Sequence, residues 1–147
     1  MRARFVPNLL AYVVPTFALG YVWHLKLFAG YYRELGIYRP DVIVPFGLAT
    51  MLLQGAVFAL VYPRLVARPD SFAGGMRFAA LAGVLAWSFT TLAVAAKHPM
   101  TSISGFVAIE SAFTVAQFLL VGPLLAASSR QRATGVQATP DGSVQST

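Results

Sequence analysis

The chain carries four separate apolar runs, near Phe5–Leu27, Val42–Tyr62, Phe78–Ala96 and Ile103–Ala126. A hydrocarbon core about 30 Å thick needs about 20 helical residues at roughly 1.5 Å of rise each, and every run meets that length. The runs are continuous rather than alternating, so they read as helices and not as strands of a barrel. They occupy most of the 147 residues and leave little from which to build a soluble domain. Charged residues make up 11% of the chain, against about 25% in an ordinary soluble domain. Lipid can cover that much apolar surface, whereas so few polar groups cannot. The expected fold is all-α: a four-helix transmembrane bundle threaded up-down-up-down over residues 1–127. Residues 128–147 are rich in Ser, Thr, Gln and Gly and have no apolar period, so a disordered tail is expected there.

Several function classes lack support. The chain has no cysteine, which excludes disulfides, thiolate metal sites and thiol redox chemistry. It has two histidines and no HExxH, and neither GxxxxGK[ST] nor GxGxxG occurs. His24 and His98 could in principle bracket a haem, but His98 sits in the turn Lys97-His98-Pro99, where a solvated histidine is commoner. No metal or cofactor is expected. The net charge of +6 does not imply nucleic acid, because the basic residues lie at the ends of the runs and not in one stripe. That placement suits orientation in a membrane and contact with anionic headgroups, so the expected partner is the lipid bilayer. Arg2 and Arg4 precede an apolar stretch that continues to Leu27, well past Thr16-Phe17-Ala18, so an uncleaved first span is expected.

Counting Lys and Arg orients the chain. The N-terminus, second connection and tail hold Arg2, Arg4, Arg64, Arg68, Arg77, Arg130 and Arg132. The first and third connections hold Lys26, Arg33, Arg39 and Lys97. The bias places both termini in the cytoplasm. The first connection also mixes Tyr31, Tyr32 and Tyr38 with charges, a composition suited to the interfacial layer. A faint echo links the halves: Phe46, Phe58, Val61 and Pro63 recur sixty positions later as Phe106, Phe118, Val121 and Pro123.

Glu110 is the acidic residue inside an apolar run. It lies seven residues past Ile103, or roughly 10 Å along the helix. A charge near the bilayer centre costs about 2.5–3.5 kcal/mol on insertion scales, so it should face protein or water. Thr114 and Gln117 share its helical face. Antiparallel threading brings His24 of the first span into the same leaflet, with Thr91 of the third span at similar depth. Gln54 of the second span and Gln117 lie deeper. A ligand or proton site of Glu110, His24, Gln54, Gln117 and Thr91 is therefore the candidate. The plainer alternative is that these residues are hydrogen-bonded glue between helices, worth about 0.6 kcal/mol each. Small residues at four-residue spacing, Ala79 with Gly83, Gly55 with Ala59, and Ala108, Ala112 and Ala116, mark faces where backbones can approach.

The stretch Tyr21-Val22-Trp23-His24-Leu25, followed by Leu27-Phe28, Tyr31-Tyr32, Tyr38-Arg39 and Gln54-Gly55, resembles small four-span bacterial membrane proteins of unknown function. The resemblance covers roughly a third of the chain, from Phe17 to Leu65. It implies a four-helix protein of the bacterial inner membrane and supplies no reaction, ligand or catalytic residue. The third and fourth spans, with Glu110, carry no matching motif. Three readings of function stay open. One is a small non-enzymatic membrane protein, as an accessory subunit or homo-oligomer. The second is a small carrier or proton-coupled permease using Glu110. The third is a membrane-embedded enzyme acting on a lipid or quinone.

Overall fold

The computed structural model describes the backbone of residues 2–130 and the side chains from Arg4 onward. α1 (Arg2–Val22) stays helical through Pro7 and Pro15 and runs directly into a π-helical turn at Trp23–Leu27. α2 (Ala29–Leu35) is a short helix within the first connection, stopped by Gly36. Gly36 has φ of 75°, a left-handed conformation that a residue without Cβ adopts freely. α3 (Val44–Leu65) starts with Pro45 in its first turn, where a missing N–H costs nothing. α4 (Phe72–Trp87) passes through a second π-helical turn, Ser88–Leu92, into α5 (Ala93–Ala95), and α6 (Ile103–Arg130) closes the bundle. No strand occurs among the described residues. The stretches Arg4–Leu27, Val44–Leu65, Phe72–Ala95 and Ile103–Arg130 are each long and apolar enough to cross a membrane.

Two boundaries differ most from expectation. The third span begins at Phe72 rather than at 78, because Ser71 caps it: Gly74 N–H donates to Ser71 Oγ at 3.0 Å. Gly74 and Gly75 read as breakers in the sequence, yet Gly75 is a contact residue. A Cβ there would stand 2.3 Å from the Gly122 carbonyl oxygen, so this glycine lets α4 lie directly on α6. The fourth span runs past 126 to Arg130, so Ser128, Ser129 and Arg130 are helix and not tail. They are held by packing: Ser128 Oγ donates to Asn8 Oδ1 at 2.7 Å, and Ser129 is buried. The remainder of the expected tail, 131–147, lies outside the described residues.

α1 packs between α3 and α6, and α6 between α1 and α4. Near the chain termini the core is Tyr12, Tyr62, Phe78, Phe118, Val121 and Leu125. At the opposite, connector end, Tyr32 and Leu35 of α2 pack onto Phe106 of α6. Thr101 ties the two connections there, its N–H donating to Leu35 O at 3.1 Å and its hydroxyl to Glu34 O at 2.9 Å. The remaining side of the bundle is split. Toward the termini, α3 and α4 meet through Phe58 and Phe78 (ring centroids 5.4 Å apart) and through Tyr62 and Phe78 (5.1 Å). Toward the connectors they part, and residues 41–50 are all exposed.

Candidate functional site

A polar seam runs the length of the α1–α6 interface. It is built from Asn8, Tyr12, Thr16 and Gly20 of α1 and His24 of the π-helical turn, spaced four residues apart so that each is a neighbour of the next on the helix surface. On α6 it uses Glu110, Thr114, Gln117 and Ser129, all buried. In the middle, Tyr12 Oη donates to Gln54 Oε1 at 2.6 Å and accepts from Gln117 Nε2 at 3.3 Å. Gln117 Nε2 also reaches Thr16 Oγ1 at 3.4 Å. Three spans are joined by one tyrosine hydroxyl.

Nearer the connectors, Glu110 is 8% exposed and its Oε1 receives two groups. Tyr32 Oη donates to it at 2.6 Å, and His24 Nε2 lies 3.3 Å away. Among the described residues, no Lys or Arg shares this His24–Glu110 contact. His24 sits in the π-helical turn, a device common at functional sites, and its other nitrogen, Nδ1, lies 3.1 Å from the Gly20 carbonyl oxygen. A carbonyl oxygen only accepts, so Nδ1 carries a hydrogen. Nε2 and Oε1 would then both be bare acceptors if the imidazole were neutral and the carboxyl ionised. Their contact requires one further proton, held as imidazolium with carboxylate or as imidazole with carboxylic acid. The pair therefore shares one proton.

An aromatic cap covers this pair. The Tyr32 and Tyr38 rings stack at 4.7 Å with 1° between their planes, and Phe113 meets the His24 ring edge-on at 4.4 Å. Burial pushes both tyrosine phenols well above their ordinary range, and for Tyr32 the hydrogen bond to the Glu110 carboxylate pushes further. Both remain protonated hydrogen-bond donors at any ordinary pH.

The gap between α3 and α4 opens into a crevice of about 380 Å³ that ends on this centre. Its walls include Phe17, Tyr21 and Phe113, its polar points are His24, Glu110, Gln54 and Gln117, and Gly47, Leu48 and Met51 of α3 form the outer side. Five residues of the short aromatic motifs, Tyr21, His24, Leu25, Tyr38 and Gln54, line it.

Of the residues expected from sequence, Glu110 and His24 meet directly, and Gln54 and Gln117 meet through Tyr12. Thr91 does not join them. It is fully buried with its hydroxyl unpartnered and makes no bond to the other four. Tyr12, Thr16, Tyr32, Tyr38 and Phe113 belong to the site but were not among the residues expected there. The four-residue spacing of Asn8, Tyr12, Thr16 and His24 is the signal that could have found the first two. Among the described residues no three His, Cys, Asp or Glu side chains converge as a metal site would need. Comparison with protein-family models, curated proteins and solved structures finds no match to this chain.

Proposed function

We propose that this is a multi-pass protein of the bacterial inner membrane, with both termini cytoplasmic, that binds a lipid-soluble molecule and catalyses no reaction. One observation carries the reading: the bundle is split between α3 and α4 on its connector half, and the split leads to the His24–Glu110 pair. With four spans in a bilayer, that split faces acyl chains. A molecule dissolved in the membrane can enter sideways and find polar groups at the end of an apolar, aromatic-walled path. Ligand sites commonly have this make-up, largely apolar with a few convergent polar groups, in volumes of about 300–1,000 Å³. Helix glue alone does not need a cavity beside it.

Gly47 provides the test. It lines the crevice, and no atom lies within 4 Å of where its Cβ would stand. Gly47→Trp should fill the crevice while the helix keeps or gains stability, since glycine is a poor helix former. Mass spectrometry of the protein purified in mild detergent should find a membrane-soluble molecule on the parent and none on the variant. A parent that carries no such molecule, and that membrane extracts do not protect against heat, would overturn the reading. The direct meeting of His24 with Glu110 favours a proton-coupled carrier as the second reading, and proton flux in vesicles that stops in Glu110→Gln would establish it.

A further inference from the structure

Resting on the reading of the crevice as a binding site, the class of ligand follows from the charges around its end. We propose that the crevice binds lipophilic organic cations, and that the bound cation takes the place of the proton shared by His24 and Glu110. Glu110 Oε1 is already engaged by Tyr32 and His24, but Oε2 takes no bond from the protein. Nor is Oε2 sealed off: it belongs to a crevice-lining residue and is not among the buried unpartnered atoms, which are Asn8 Nδ2, Trp23 Nε1 and Thr91 Oγ1. One carboxylate oxygen is thus left for a ligand.

The compensating charge is a removable one. The titratable groups facing Glu110 are His24 on the π-helical turn and Tyr32 and Tyr38 of the first connection; the crevice residues from α3 and α4 carry none. Among the described residues, no lysine or arginine lies against the carboxylate, whose basic partner is His24. The pair with its proton is neutral, and without it carries one negative charge in a low-dielectric surrounding. A monovalent organic cation entering as the proton departs keeps the total unchanged. An anion would add a second negative charge beside the carboxylate.

The walls fit the same class. Tyr12, Phe17, Tyr21, Tyr38 and Phe113 line the crevice, and aromatic faces attract cations, most strongly away from water. Lys26 already sits over the Tyr21 ring, its Nζ 5.6 Å from the centroid, so the rings offered to a ligand cation are those of Tyr12, Phe17, Tyr38 and Phe113.

The test compares two ions of nearly equal size and opposite charge, tetraphenylphosphonium and tetraphenylborate. Binding is measured to the full chain in phosphatidylcholine nanodiscs, with empty discs correcting for partition into lipid. The phosphonium should bind, should bind more tightly as pH rises, and should release protons into weakly buffered solution. Glu110→Gln, which keeps the shape and removes the charge, should weaken it about tenfold or more and abolish the pH dependence, about 1.4 kcal/mol per decade. Equal binding of the two ions by the parent protein would overturn the proposal even if the variant fails to fold, while leaving the crevice as a binding site. Binding of neither ion, together with an empty parent protein in the co-purification test, would overturn both.

Discussion

The short bond from Tyr32 to Glu110 decides how this protein should respond to a single atom's removal. Tyr32→Phe deletes the hydroxyl and leaves Oε1 with His24 alone. Hydrogen bonds to charged groups are worth about 1.5–3 kcal/mol, so thermal unfolding in detergent should show a loss of that order. Alkali should act on the same group. Above the ordinary phenol value of 10.0 the unfolded chain releases protons that folded Tyr32 and Tyr38 retain. The folded state then binds more protons than the unfolded one, so stability falls as pH rises beyond about 10. A melting series from pH 8 to 11 should show that fall, and Tyr32→Phe should make it shallower; a flat series would contradict the buried phenols. At this scale the sequence was partly legible. An acid in an apolar run stands out because its burial is costly, and Glu110 brought Gln117 with it by spacing. Tyrosine and threonine are ordinary in membrane helices, so Tyr12, Thr16 and Tyr32 gave no such sign. Thr91 makes no bond to the other four expected residues, and depth along a helix is easier to read from a sequence than the direction a side chain faces.

Helix pairs depend on where backbones touch. Gly75 and Gly122 face each other, but the surroundings of the two are unequal. A methyl at Gly75 meets the Gly122 carbonyl oxygen at 2.3 Å, whereas one at Gly122 first meets Met76 Sδ at 2.8 Å, the flexible part of a side chain. Gly75→Ala should therefore cost more than Gly122→Ala, within the roughly 1–3 kcal/mol typical of overpacking, when the two are compared by thermal unfolding. Equal losses would mean that α4 and α6 are further apart than this. The existence and number of the long helices were legible from apolar length alone. The start of α4 was not, since Gly74-Gly75 is a breaker by propensity, and Gly75 becomes a contact residue only against α6. The π-helical turns were also hidden: they depend on tertiary packing around His24 and Thr91, which no local period reveals.

For the whole molecule, the charge bias makes a prediction about sidedness. Reporter fusions after Ala67 and in the tail should report cytoplasm, and a fusion at Gly36 should report the far side. Arg4, Arg64, Arg68, Arg77 and Arg130 all lie at one end of the bundle, which supports that outcome. The reverse pattern would invert the assignment. Up-down-up-down threading could be anticipated from four runs and short connections. That the bundle would split on one side could not, because threading fixes the order of helices and not how closely each neighbouring pair approaches. The split has a mechanical consequence. A wedge-shaped gap confined to one half of the bundle takes up area in one leaflet and almost none in the other. Widening it does work against that leaflet's lateral pressure. Occupancy of the crevice should then depend on acyl-chain packing, so that the surrounding lipid acts as a regulator without touching the site.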